Sequence, residues 1–286
     1  MKFGLVPVNV GVKSVEHIVG ISQLAESVGF ESVWTFEHVM VPMDYASRYP
    51  YSTDGKMAAR PETNFVDPLI ALSTVAAHTK TLRLGTGVNI VSQANPLLLA
   101  KQTASLDFVS GGRFMLGAGI GWLREEFDAM GVPFEGRGAR FDDYITAVKK
   151  VWSGDVITHH SEYINWSGFK SYPIPRSRSG IPIIIGGSRG KIYERVARHG
   201  DGWFLPIDSA KAIAPLLKPL DSACVAVGRD RNSIELSCMW NMQGGLNEIR
   251  AFEDAGVSRV IVPVLALGKD PVAGISQLAE TIISRC

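Results

Sequence analysis

Between Leu82 and Trp122 the chain carries one complete strand, helix and strand unit. RLGTG is a short apolar strand ending on small residues. Asn95-Pro96 then opens a helix, because Asn accepts from the exposed N–H groups of a first turn and Pro at its first position has no N–H to lose. Gly111-Gly112 supplies a left-handed stop, and RFMLGAG is a second strand that again ends on glycines. Such a unit lays two parallel strands side by side with both carboxyl ends open, where parallel α/β folds bind ligands. Small residues there are expected to let the backbone approach a flat or phosphorylated molecule closely. The site is therefore sought above Gly85, Thr86 and Gly87 and above Gly117, Gly119 and Gly121.

The same alternation runs along the chain. Short apolar runs recur at 3–6, 32–36, 82–85, 114–117, 183–185, 202–205, 234–239 and 260–264. Between them apolar residues take helical spacing, as in Val15, Ile18, Ile21, Leu24 and Val28, or Phe141, Ile145, Val148 and Trp152. Strands buried on both faces and separated by helices predict an α/β protein, a (β/α)8 TIM barrel occupying 1–286 as one domain. An open doubly wound sheet is the alternative. Two segments interrupt the pattern and are expected as inserted loops at the carboxyl face. Residues 39–64, with Tyr45, Tyr49, Tyr51 and Arg60, read as a lid over the substrate rather than a solvated loop. Residues 155–180 read as an insert with a hairpin around Tyr163 to Trp166.

Composition excludes several classes. Lys plus Arg number 29 against 28 acidic residues, so no basic footprint points to nucleic acid or anionic membrane. No run approaches the eighteen apolar residues of a membrane span, and MKFGLVPV is too short for a signal peptide. Cys224, Cys238 and Cys286 have neither even count nor metal spacing, which reads as reduced thiols in a cytoplasmic protein. The expected partners are a small-molecule substrate and, at most, a second copy in a homodimer.

Chemistry concentrates at strand ends. His38, with Glu37 beside it, directly follows ESVWTF; a histidine there is either catalytic or a satisfied structural residue. No other histidine has ligand spacing toward it: His159-His160 falls in the insert and His17, His78 and His199 on helices, so no metal is expected. Gly186-Gly187-Ser188-Arg189 follows PIIIG and opens the helix KIYERVARHG, which makes a phosphate cradle or simply a loop needing left-handed glycines. Neither a Walker lysine motif nor a dinucleotide fingerprint is present. Trp122 either walls a planar ligand or packs beneath a loop. Arg124, Glu125 and Glu126 read as a charged surface turn or local ion pairs. Arg137 and Arg140 precede a helix, where cations are disfavoured, and so call for acidic neighbours or an anionic ligand tail.

Taken together, GTGV, NPLLLAKQTASLDFVSGGRFMLGAGIGWLREEF, MGVPFEGRGARFDDYITAVKKVW, IPIIIGGS and ARHGDGWF resemble the luciferase-like superfamily, and within it the coenzyme F420-dependent oxidoreductases. The likeness runs from Phe3 to about Leu205. It implies a barrel holding a deazaflavin ring over the strand ends, against Thr86, Gly87, Val88, Asn89, Gly119 and Trp122. The phosphate is then expected at Gly186, Gly187, Ser188 and Arg189. It also implies a non-prolyl cis peptide in a bulge of the third strand, at Gly87-Val88. The sugar-phosphate dehydrogenases of that family match at His38, which there abstracts the substrate proton, but carry aspartate where Glu37 stands and a glutamate acid where Trp122 stands. The substitution at Trp122 removes a proton donor and adds a wall. The expected function is hydride exchange between bound F420 and a small organic substrate, with His38 and Glu37 as catalytic candidates. A flavin mononucleotide (FMN) monooxygenase of the same superfamily and a deazaflavin-binding protein without turnover are the alternatives; a barrel aldolase lacks a Schiff-base lysine at a strand end.

Overall fold

A computed structural model describes residues 1–177 and 180–286; positions 178 and 179 of the expected insert lie outside the described residues. In chain order the strands are β1 (Lys2–Val6), β2 (Ser32–Thr35), β3 (Arg83–Thr86), the two-residue β4 (Asn89–Ile90), β5 (Phe114–Gly119), β6 (Ile157–His160), β7 (Asn165–Phe169), β8 (Ile183–Gly186), β9 (Gly202–Leu205), β10 (Glu235–Met239) and β11 (Val257–Pro263). The helices are α1 (Val15–Ser27), α2 (Pro68–His78), α3 (Pro96–Val109), α4 (Arg124–Ala129), α5 (Arg137–Val151), α6 (Ile192–His199), α7 (Ala214–Ala226), α8 (Gly245–Asp254) and α9 (Pro271–Thr281).

The main sheet runs β3-β2-β1-β11-β10-β9-β8-β5 and closes where Leu84 and Gly85 of β3 pair with Phe114 and Met115 of β5. All these pairings are parallel, so the fold is a (β/α)8 barrel and not the open sheet. All eight apolar runs form its strands; β4 is a short addition that lies along the carboxyl end of β5. Asp67 and Asn95 cap α2 and α3 by accepting two backbone N–H groups each, and Gly111 and Gly112 take the left-handed conformation at the end of α3.

Strand alternation divides the core in two. Phe3, Leu5, Val33, Leu84, Phe114, Leu116, Val260 and Val262 face the helices, while Val6, Trp34, Met115, Ile184, Phe204 and Ile261 fill the barrel interior. Trp34 is too large for eight full-sized inward neighbours. A Cβ on Gly85 would lie 2.3 Å from the Trp34 ring and one on Gly4 2.8 Å from its indole nitrogen. Gly85 thus makes room for an interior side chain, which corrects its expected role as a point of ligand approach. At the amino end the barrel is plugged by Arg259, fully buried between Glu31 and Glu235.

The antiparallel β6–β7 hairpin follows α5 and is tied back to that helix, with His159 Nε2 2.8 Å and Ser161 Oγ 2.7 Å from the Asp143 carboxylate. Cys224, Cys238 and Cys286 are free thiols, the first two buried. No helix among the described residues is long and apolar enough to cross a membrane.

Candidate active site

A cavity of about 990 Å³ opens at the carboxyl end of the barrel. Its floor is made by Val88, Gly119, Gly186 and Phe204, and the Gly87–Val88 peptide is cis. Val88 projects between two strands that yield to it: a Cβ on Gly119 would lie 2.4 Å from Val88 Cγ2, and one on Gly186 2.5 Å from Val88 Cγ1. Gly117 is barred from any larger residue by the Thr86 carbonyl, 1.6 Å from where its Cβ would stand. The glycines of RFMLGAG and PIIIG therefore admit the bulge of the neighbouring strand, and it is the bulge that presents a surface to the cavity. Gly187 differs. Its φ of +122° suits glycine, and the nearest atoms to an added Cβ are Ile192 Cδ1 at 3.7 Å and the Tyr51 hydroxyl at 3.9 Å.

The walls come from the segment 39–64 and from Trp122. Tyr45 and Tyr49 meet the Trp122 ring edge-on, with centroids 5.8 and 5.2 Å away, and Tyr51 meets Tyr49 at 5.4 Å. Trp122 thus both packs against this segment and lines the cavity. Four arginines, Arg48, Arg137, Arg189 and Arg195, line it against one acid, Asp208, among the described residues. In a chain of net charge +1 that is a local excess suited to an anion. Arg195 is held by Asp142 at 2.8 Å, whereas Arg137, among the described residues, donates only to the carbonyls of Gly121 and Phe134, and stacks 3.7 Å over the Phe134 ring. Burial first, and the charge of Arg124 next, draw the Arg137 pKa down.

Three sequence expectations need correction here. The run Gly186 to Arg189 does not itself open the helix, which begins at Ile192 after an N-cap, Lys191, that makes no side-chain hydrogen bond; Ser188 and Arg189 lie on a loop whose glycines, Gly187 and Gly190, both have positive φ. Arg137 and Arg140 lie inside α5, not before it. Arg140 is buried and donates to the carbonyls of Ser92, Glu135 and Pro133, so its partners are backbone oxygens, neither acidic residues nor a ligand tail. Glu126 is no surface charge: it is 2% exposed. Its Oε1 accepts from the N–H of Val39 at 2.5 Å and Met40 at 3.4 Å, and its Oε2 stands 3.1 Å from His38 Nδ1. The sequence signal available for this was the spacing of Leu123, Glu126 and Phe127, which puts Glu126 beside the apolar face of a short helix.

Of the expected site residues, Gly87, Val88, Gly119, Trp122, Gly186, Gly187, Ser188 and Arg189 come together on the cavity. Thr86 and Asn89 lie off it, buried; the Thr86 hydroxyl donates to the Gly117 carbonyl. His38 and Glu37 also lie behind the lining. The His38 ring stands edge-on to Phe65 and Trp122, at 5.5 and 5.9 Å. Glu37 accepts from the Ile90 N–H, directly after the cis bulge, and hydrogen-bonds the Asn89 side chain. Burial pushes its carboxyl up to about 7, assisted by the charges of Glu126 and Asp67 and opposed by those two hydrogen bonds.

A folded-state pKa raised from the ordinary carboxylate range means that the native protein binds this proton more tightly than the unfolded chain. The stability it contributes is complete below about pH 4 and disappears as pH rises through about 7. Glu37→Gln, which keeps an acceptor for Ile90, should remove this slope and stabilise the protein at pH 8 by on the order of 1–3 kcal/mol, with little change at pH 4. Urea denaturation at both pH values measures it, and equal wild-type and variant slopes would contradict the assignment.

Known proteins share this architecture. The model of the luciferase-like monooxygenase family matches residues 2–245. An uncharacterized protein of Mycobacterium tuberculosis is 29% identical over 210 residues, 73% of this chain and 74% of the other. The 5,10-methylenetetrahydromethanopterin reductase of Archaeoglobus fulgidus is 25% identical over 273 residues, covering 95% of this chain and 72% of the enzyme. Among solved structures, an F420-dependent secondary alcohol dehydrogenase in complex with an F420-acetone adduct superposes with a TM-score of 0.79 at 15% identity, covering 99% of this chain and 98% of that one. A monooxygenase from Streptomyces bottropensis gives 0.77 at 23% identity, covering 100% and 99%.

Proposed function

Because the chain belongs to the luciferase-like monooxygenase family, we propose that it is an oxidoreductase exchanging a hydride between bound coenzyme F420 and a small, fairly apolar organic substrate. The observation that carries this reading is the cavity itself: a raised Val88 floor, aromatic walls and an arginine-rich rim suit a flat ring bearing an anionic side chain. The residues present fit such a group. Val88 would support the ring and Trp122 would wall it, while the Gly187 to Arg189 loop leaves room and donors for a phosphate. When bound, the deazaflavin supplies the hydride chemistry, and the protein supplies orientation and exclusion of water. Tyr49, Tyr51 and Trp122 would shield the substrate beneath segment 39–64, which acts as its lid. Glu37 holds the backbone after the bulge, and His38, set behind Trp122 with part of its ring still exposed, would exchange a proton at its Nε2 past that wall.

An FMN monooxygenase is the second reading, favoured by the likeness in fold to the Streptomyces bottropensis monooxygenase. Equilibrium binding of F420 and FMN under identical salt separates the two. Tighter F420 binding is expected, by tenfold or more. Tighter FMN binding with oxygen consumption by the reduced complex would transfer the protein to the second reading. Tight F420 binding without hydride transfer to any of a broad substrate panel would make it a cofactor-binding protein. Arg189→Glu should weaken F420 binding about 10- to 100-fold, as expected where repulsion replaces a charge-assisted hydrogen bond, and should flatten its salt dependence. Arg189 is a better probe than Gly187, where any side chain strains the backbone.

A further inference from the structure

Glu126 and His38 stand 88 residues apart in sequence and 3.1 Å apart in space. We propose that Glu126 is the positioning residue for His38, fixing its tautomer and its orientation; the proposal rests on the reading of His38 just given. An ionised carboxylate can only accept hydrogen bonds. With Oε1 occupied by the N–H groups of Val39 and Met40, Oε2 accepts from His38, so the imidazole proton resides on Nδ1. Nε2, which has no hydrogen-bond partner among the described residues, is then the nitrogen that carries the free lone pair. Phe65 and Trp122, edge-on on either hand, hold the ring in this plane.

The same carboxylate anchors the root of segment 39–64 through Val39 and Met40. Its neighbour Glu125 grips the middle of that segment, accepting from the N–H groups of Ala46 at 2.7 Å and Ser47 at 3.2 Å, while the Arg124 N–H donates to Ser47 Oγ at 3.0 Å. The short helix α4 therefore sets the base and the aromatic wall beside it as one unit. Release of the root alone would loosen substrate binding; the wrong tautomer would slow proton transfer. The two effects fall on different kinetic constants.

Glu126→Gln separates them. Its amide oxygen can still accept from Val39, but its NH₂ donates toward His38, so Nδ1 must become the acceptor and the proton must move to Nε2. Nitrogen-15 NMR of the histidine rings in the cofactor-free protein, at a pH where imidazole is neutral, reads this directly. The wild type is expected to show the Nδ1–H form of His38 and Glu126→Gln the Nε2–H form. In turnover, Glu126→Gln should lower kcat at least tenfold with KM changed less than about threefold, and should change kcat less than twofold in a His38→Gln background. Glu126→Asp, which keeps the carboxylate, should retain the Nδ1–H form. A wild-type spectrum dominated by the Nε2–H form overturns the proposal without any variant, and so does an undiminished effect of Glu126→Gln when His38 is already gone. If the tautomers are as expected but no substrate is turned over, the assignment of Glu126 stands and hydride transfer is what fails.

Discussion

Arg259→Met should cost about 3–5 kcal/mol of stability at pH 7, the usual consequence of removing one partner from a buried ion network. Arg259 is completely enclosed. It reaches Glu31 through Nη2 at 2.7 Å and Nε at 2.8 Å, Ser237 through Nη1 at 3.1 Å, and Glu235 through the same nitrogen, with its guanidinium 5.6 Å over the Trp34 ring. Methionine would fill much of the volume and leave two carboxylates facing each other across the amino end of the barrel. Burial pushes both carboxyls up, but the hydrogen bonds and charge of Arg259 outweigh it and hold them below the ordinary range. Stability from a depressed carboxyl pKa is present above the unfolded value and is lost as pH falls through the folded one. The gap between wild type and variant should therefore be widest near neutrality and narrow below about pH 4, where the carboxylates take up protons. Denaturant unfolding at pH 7 and pH 4 tests this, and a gap independent of pH would assign the cost to packing instead.

His38→Ala should reduce turnover about 100-fold, or some 2.7 kcal/mol in the transition state, if His38 serves as a general acid or base. Its structural cost is expected to be about 1–3 kcal/mol, because Oε2 of the buried Glu126 loses its partner. Glu126 would keep its two backbone donors, and the imidazole meets Phe65 and Trp122 only edge-on. Kinetics of the cofactor-loaded enzyme, normalised to folded protein by circular dichroism, measure the effect. A smaller decrease expressed in cofactor affinity would give His38 a binding role, and a destabilised variant with full activity per folded molecule would leave it as packing.

Why some of this was legible in the sequence and some was not follows from what each residue type reports. Barrel strands are buried on both faces, so IPIII is visible as an unbroken apolar run, and Asn95-Pro96 marks its helix by local hydrogen-bond chemistry alone. Glu126 and Arg140 carry the opposite signal: charge predicts solvent, and only a partner brought from elsewhere in the fold allows a carboxylate or guanidinium to be buried. Glu126 finds His38, and Arg140 the Ser92 carbonyl, across long stretches of chain. The GGSRGK run was ambiguous for another reason. Successive glycines mark where a backbone leaves the ordinary conformations, but not how many residues pass before a helix resumes, and here it resumes at Ile192.

The glycine pairs around Val88 also bear on how this scaffold can diversify. Gly119 and Gly186 cannot gain even a methyl group while Val88 stands between them, and Val88 gains nothing by growing toward them. Single enlargements of these residues are blocked from both sides, so a larger residue at either glycine requires a smaller one at position 88. The rim has no such interlock: Arg48, Tyr51 and Arg189 each reach the cavity from loops. A mutational library seeking new substrates should leave the floor and the Gly187 to Arg189 loop untouched and randomise the rest of the rim, at Arg48 and Tyr51, one residue at a time.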